Sequence, residues 1–268
     1  MKPSVIPVLL LAATAALAFT AQPAHAEPAP LIHAHAHNDY EHRRPLLDAL
    51  DHGFCSVEAD IFLVEGKLLV AHNLKDVKPE RTLQALYLDP LRGRVKRNGG
   101  RVFPNGPEFT LLIDIKTDWK TTYPALRTVL TNYAGVLTTF HDGAKLTNAI
   151  TVIISGSRAK EMFAGETVRF AAYDGTLADL DSSAPADLIP WISASWAPSF
   201  GWRGQDEIPE AEAARLKGIV GKAHAQGRRV RFWGAPDNAA FWRTMHDAGV
   251  DLINTDNLPG LAVFLNSH

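Results

Sequence analysis

The chain has 268 residues, 46% of them apolar, with 27 Lys and Arg against 29 Asp and Glu and a single cysteine. That apolar fraction excludes wholesale disorder, and the net charge of −2 leaves no electrostatic footprint for a nucleic-acid partner. One cysteine excludes an internal disulfide framework and a Cys-rich zinc site. At roughly 150 residues per domain, the length allows one large domain or two small ones.

The chain opens with Lys2, an apolar run from Val8 to Phe19, and Ala24-His25-Ala26, the small-x-small spacing read by a signal peptidase. The run is shorter than the ~20 apolar residues a membrane span needs, and no later stretch competes with it. Residues 1–26 are therefore expected to be a cleaved secretory signal. The mature chain, 27–268, is then periplasmic or secreted and has no transmembrane anchor. Cleavage removes one charge, Lys2, and takes the formal net charge from −2 to −3. Cys55, in an apolar stretch, reads as a small buried hydrophobe.

The remainder alternates strands and helices. Residues 31–37 read as a strand, 45–52 as a helix and 54–63 as a second strand, with 67–72 extended after the Glu65-Gly66 turn signal. A helix is expected over 82–91 and a loop over 92–107. Residues 109–115 form a third strand and 123–133 a helix. Further strands are expected at 150–155, 168–173, 188–193, 228–233 and 250–254. Helices at 209–226 and 238–248 separate the last three, each stopping near a glycine, and 258–265 closes the chain as a helix. Eight strands mostly separated by helices argue for parallel βαβ units. Roughly 240 residues is the size of a single (β/α)₈ TIM-type barrel. An open doubly wound sheet is the alternative, but no glycine fingerprint for a dinucleotide follows the first strand.

In such a barrel the chemistry sits at the C-terminal ends of the strands. The first strand ends at His37-Asn38-Asp39. The second carries Glu58 and Asp60, and the third Asp114 and Lys116, each pair two residues apart and so on one face. His72 follows from the extended piece after the second strand. Carboxylates inside apolar strands are expensive to bury unpaired. Either internal salt bridges with Lys116 and nearby arginines, or a hard divalent cation held by Glu58, Asp60 and Asp114, would explain them. Oxygen ligands suit Mg²⁺ or Ca²⁺, and the set as a whole favours the metal.

Histidine, with an unperturbed pKa of about 6.5, moves protons near neutrality. His37 and His72 at one mouth suit phosphodiester cleavage, one activating the nucleophile and the other protonating the leaving oxygen. Lys116 would add positive charge beside the non-bridging oxygens. His33, His35 and His37 share one strand face. At about 3.3 Å per residue His33 lies roughly 13 Å deeper than His37, so His33 reads as a bottom-layer residue. His35 is either catalytic or a support behind the site. The run also raises an amidohydrolase-type metal hydrolase using His33, His35 and His37. That chemistry needs further histidines at later strand ends, where this chain has Asp114, Ser155, Tyr173, Ser195, Trp233 and Asn254.

The order His37…Glu58-Ala-Asp60…His72…Asp114-Ile-Lys116 resembles the glycerophosphodiester phosphodiesterase and phosphatidylinositol-specific phospholipase C-like superfamily. HAHNDY (35–40), PLLDAL (45–50), SVEADI (56–61), LLVAHN (68–73), RFWGAPD (231–237) and GVDLINTDNL (249–258) are similar to one branch, the altered-inheritance-of-mitochondria-protein-6-like proteins. The resemblance implies a phosphodiesterase barrel with a divalent cation in its mouth. It puts His37 and His72 at the acid/base positions, Glu58, Asp60 and Asp114 at the metal ligands, Lys116 facing phosphate and Trp233 in the substrate pocket. In many members a substrate hydroxyl attacks phosphorus to give a cyclic phosphate.

The chain also departs from that pattern. Typical members have His-Arg-Gly where this chain has His37-Asn38-Asp39, so Asn38 stands at the substrate-facing place of a phosphate-gripping arginine. The usual Pro-Glu-Asn-Thr segment is absent. Asp114-Ile-Lys116 replaces Glu-Ile-Lys, as in sphingomyelinase D-like enzymes, whose loop disulfide a single cysteine cannot form. The aromatic loop 195–203 is the expected specificity element. Its Trp196 and Trp202 either cap a ligand or pack the loop onto the rim, and Arg203 is a candidate replacement for the missing phosphate contact. The expectation is a secreted, metal-dependent phosphodiesterase acting on a glycerophosphodiester or phospholipid-derived headgroup. A barrel that binds a phosphorylated ligand without turnover is the alternative.

Overall fold

The computed structural model describes residues 27–141 and 144–268. The expected signal segment, 1–26, lies outside the described residues. Eight parallel strands follow one another around a closed barrel: β1 (Leu31–Ala36), β2 (Phe54–Val64), β3 (Phe109–Ile115), β4 (Ile150–Gly156), β5 (Ala172–Gly175), β6 (Trp191–Ser195), β7 (Arg229–Trp233) and β8 (Leu252–Thr255). Closure comes from β1, which pairs with both β8 and β2. The single (β/α)₈ architecture expected from alternation is thus the observed one, and no open sheet edge is left between β1 and β8.

Periodicity along β2 explains how one strand serves two layers. Val57, Ala59 and Ile61 join the large apolar cluster between barrel and helices, whereas Ser56, Glu58 and Asp60 alternate with them and face inward. All six are buried. On β3 the same alternation sends Leu111, Ile113 and Ile115 outward. Leu112 joins Ile153, Trp191 and Leu252 in a separate apolar cluster that floors the barrel interior. Glu58, Asp60, Ser155 and Arg231 are buried inside the same barrel.

Boundaries differ from the expected ones where local chemistry overrides pattern. The 92–107 segment is not all loop, because a helix runs over Asp89–Arg97 after a π-helical turn at Gln84–Leu88. Pro90 has no N–H to give, which favours the widened turn before it. Arg94, Lys96 and Arg97 in the last turn suit the negative end of the helix dipole. The expected strand 168–173 is two pieces. Val168–Arg169 joins a small antiparallel sheet with Thr139–His141, and the barrel strand proper is β5, ending two residues later than expected. Residues 67–72 form a short strand, Lys67–Val70, antiparallel to the end of β2. No helix among the described residues is long and apolar enough to cross a membrane.

Candidate active site

Register assembles the acidic residues. Asp60 on β2 is directly opposite Asp114 on β3, which is opposite Ser155 on β4. Parallel strands in register point matched residues to the same side about 4.8 Å apart, so the two aspartates meet at the mouth. Glu58 sits one inward position deeper. One oxygen from each of Glu58, Asp60 and Asp114 can be chosen so that all lie within 4.8 Å of one another.

Each carboxylate has a different counterpart. Glu58 Oε2 lies 3.1 Å from Arg231 Nη1, and both side chains are buried. Burial would raise the Glu58 pKa, but the charge of Arg231 overcomes it and holds the carboxyl well below its usual range. Burial and the Glu58 charge push Asp60 up to about 6, against Lys116 and Tyr40. Asp114 is also raised, chiefly by burial. Lys116 Nζ bridges them, 3.0 Å from Asp60 Oδ2 and 3.2 Å from Asp114 Oδ1. Burial would lower Lys116, but the Asp114 and Asp60 charges raise it above its ordinary value, so it stays an ammonium.

The donor set fits a hard divalent cation. It is all oxygen, and Asp60 divides its two atoms: Oδ2 takes Lys116 and Tyr40, while Oδ1 is buried without a hydrogen-bond partner. A buried carboxylate oxygen left unpaired is costly in a protein interior. The salt bridges and the cation, set against each other as alternatives in the sequence, are therefore compatible, since they use different oxygens of Asp60.

The histidines are set by different means. His37 follows β1 directly, its backbone N–H donating to Thr255 O at 3.1 Å. Its Nδ1 is 3.0 Å from Asp256 Oδ1. Burial would lower the imidazole pKa, but the Asp256 hydrogen bond and the Glu58 and Asp256 charges outweigh it and raise it. His72 leaves the hairpin after β2, and its Nδ1 faces Tyr40 Oη at 3.0 Å and Asp60 Oδ2 at 3.4 Å. Both rings line one cavity of about 840 Å³, together with Asn38, Glu58, Asp114, Lys116, Arg231 and Trp233. Asp60 lies beneath this lining, behind Lys116 and Tyr40. Trp233, nearly half exposed, stands at the rim.

His33 and His35 do not converge with His37. The pairing of β1 with β2 shifts between Leu31 and His35, which leaves His33 exposed at the bottom with Nδ1 3.0 Å from Asp251 O. His35 is fully buried, between Ser56 Oγ (2.7 Å) and Arg231 Nη1 (2.8 Å), and edge-on to Trp191. Burial, then the Arg231 charge, lowers its pKa to about 4, so it is neutral. Three histidines with three separate partners offer no common metal position, which removes the geometry the amidohydrolase alternative requires.

The aromatic loop packs onto the rim rather than capping a ligand. Trp196 is fully buried, stacked on Phe200 at 4.1 Å and edge-on to Phe232 and Phe241, with Nε1 donating to Trp202 O. Trp202 is buried against Phe241, its Nε1 donating to Gln205 O. Arg203 donates to the carbonyls of Phe200 and Trp202. Large indoles gain most from burial with the N–H satisfied, so Pro198 and Ser199, not Trp196, Trp202 or Arg203, face the cavity.

Four further residues join the site. Arg231 was legible by the argument used for the carboxylates, as a charge inside an apolar strand. Asp174, buried on β5 and accepting from Ser155 Oγ at 2.7 Å, lines the cavity and fell outside the expected strand by one residue. Arg158 lines the same wall, with Nε donating to Asp174 O at 2.8 Å and its guanidinium over Tyr173. Tyr40, in the turn after His37, carried no signal beyond its place in HAHNDY.

The closed parallel barrel carries a carboxylate triad and two histidines at its C-terminal mouth, and residues 229–259 match the glycerophosphoryl diester phosphodiesterase family. The fold is similar to that of a glycerophosphodiester phosphodiesterase from Agrobacterium tumefaciens, with a TM-score of 0.53 and 16% identity over 89% of this chain and 100% of that one. Residues 25–174 match the AIM6-like phosphodiesterase domain. Altered inheritance of mitochondria protein 6 of Eremothecium gossypii is 30% identical, over 87% of this chain and 69% of the relative. Its namesake in Saccharomyces cerevisiae is 31% identical over 84% and 68%. The chain belongs to the AIM6-like phosphodiesterase family.

Proposed function

We propose that this chain is a divalent-cation-dependent phosphodiesterase that cleaves a glycerophosphodiester or a phospholipid-derived headgroup by proton transfer through His37 and His72. One observation carries the reading: both imidazoles line the same cavity as the carboxylate triad and Lys116, and each has Nδ1 engaged by the protein. Nε2 is then the nitrogen left on each ring for substrate.

Glu58, Asp60 and Asp114 would hold the cation, which when bound supplies positive charge to the phosphate and orients it. Lys116, kept protonated by its two aspartates, adds a fixed charge where negative charge grows on the non-bridging oxygens. One histidine accepts the proton of the attacking hydroxyl through Nε2, and the other donates one to the leaving oxygen. Asp256 holds the His37 ring and stabilises its protonated form. Arg231 braces Glu58 from below, donating to it and to His35 Nε2. Trp233 at the rim offers a flat apolar face to the departing group.

The test is turnover of a panel of glycerophosphodiesters and lysophospholipids with Mg²⁺ or Ca²⁺, then with chelator. Cleavage abolished by chelator and lowered about 10²–10⁴-fold in His37→Ala and in His72→Ala is the expected result. Wild-type rates in either variant, or no cleavage of any substrate with the cation present, would refute the reading.

A further inference from the structure

We infer that Tyr40 is a positioning residue for His72: its phenol, bonded to Asp60, holds the His72 ring with the proton on Nδ1 and leaves Nε2 free toward the cavity. The inference rests on the reading of His72 as a proton-transfer group. Tyr40 is buried, yet its hydroxyl has three neighbours: Asp60 Oδ2 at 2.6 Å, Asn38 Oδ1 at 2.7 Å and His72 Nδ1 at 3.0 Å. A phenol has one proton and accepts with its oxygen. The carboxylate is the strongest acceptor of the three and the nearest, so the proton goes to Asp60. His72 must then donate from Nδ1 to the phenol oxygen. The Asn38 amide, whose two ends are assigned from the network, must then turn its N–H₂ to the phenol and its oxygen to His37 Nδ1, 3.0 Å away, giving up a long 3.5 Å contact with Asp256 Oδ1.

The tyrosine is itself held from both sides. Its carbonyl accepts from Arg81 Nη2 at 2.7 Å, and its ring lies nearly parallel to the imidazole, 17° between planes at 6.3 Å. His72 has more than half of its side chain exposed, so little else restrains its ring, and the Nε2–H form is the commoner tautomer of a free imidazole. The turn His37-Asn38-Asp39-Tyr40 thereby reaches both histidines, the first directly and the second through the phenol.

The experiment is ¹H–¹⁵N long-range correlation of the histidine rings at a pH where neutral imidazole predominates, with the His72 signals assigned by their absence from His72→Ala. The wild-type chain is expected to show His72 as the Nδ1–H tautomer, and Tyr40→Phe, which keeps the stacked ring, to release it to Nε2–H. Turnover by Tyr40→Phe should fall about 10–100-fold in kcat with KM little changed, and should fall no further when Tyr40→Phe is added to His72→Ala. A wild-type Nε2–H tautomer overturns the inference even if the variant fails to fold. An unchanged tautomer in Tyr40→Phe overturns it too, as does an additive loss in the double variant, which would put Tyr40's effect on Asp60. A chain inert on every phosphodiester, with His72 held as Nδ1–H and released by Tyr40→Phe, would refute the phosphodiesterase reading and leave this one standing.

Discussion

Arg231 on β7 reaches across the barrel to Glu58 on β2, with Nη1 3.1 Å from the carboxylate and 2.8 Å from His35 Nε2. Both charges are buried, and a buried pair is worth most as the penalty avoided when neither partner is alone. Arg231→Leu should therefore destabilise the fold by about 3–5 kcal/mol, read as a lower urea midpoint at unchanged slope. A loss below about 1 kcal/mol would show that water or a bound cation takes over the role of Arg231.

Asp39 anchors the turn that carries His37 and Tyr40. It is fully buried, accepts from Leu46 N at 2.6 Å and Tyr87 Oη at 2.8 Å, and burial pushes it up to about 7. An acid with a raised folded pKa contributes stability that is complete below its unfolded value, 3.8, and lost as pH rises to about 7. Relative to the wild type, Asp39→Asn should gain stability across that window, by a total on the order of 4 kcal/mol. Parallel unfolding curves at pH 4 to 7 check the sign; a constant difference would mean that Asp39 is ionised throughout.

Gly156 ends β4 at φ +71°, and a Cβ there would stand 2.0 Å from Asp114 Oδ1 and 2.5 Å from Ile115 O. Gly156→Ala is expected to cost about 1–3 kcal/mol from the strained backbone alone. It should also shift Asp114 and weaken divalent-cation binding, measured by calorimetric titration. Retained affinity would separate the backbone strain from the carboxylate.

Cation binding should raise stability by mass action. At a free cation concentration 100 times Kd, the gain is about 2.7 kcal/mol. Asp60→Asn, which spoils the oxygen that has no protein partner, should abolish that gain in thermal unfolding, whereas a gain that survives would move the ion elsewhere.

Trp196→Ala is expected to cost about 3–5 kcal/mol as a core truncation, with no change in substrate preference among chains that remain folded. Arg203→Ala should leave KM unchanged, because the guanidinium is spent on loop carbonyls. A raised KM in Arg203→Ala would return it to the substrate.

The parts of this protein legible in the sequence are those set by short-range periodicity. Alternating strands and helices specify the barrel, and the two-residue spacing of Glu58 with Asp60 and of Asp114 with Lys116 assigns each pair to one strand face, because successive strand side chains point to opposite sides. Membership of the motif series His37, His72 and the carboxylates is likewise local, carried by residues read one strand at a time.

Tertiary structure alone decides what depends on distance across the barrel or on a boundary of one or two residues. Arg231 meets Glu58 173 residues away, and Asp256 reaches His37 only because β1 closes against β8. Asp174 enters the cavity because β5 runs two residues past its expected end. Trp196, Trp202 and Arg203 have the composition of a binding loop, and nothing local tells a tryptophan that covers a ligand from one that covers a barrel rim. Burial of the whole aromatic set in one cluster of stacked and edge-on rings settles it, since apolar area is removed from water wherever the fold offers the larger contact.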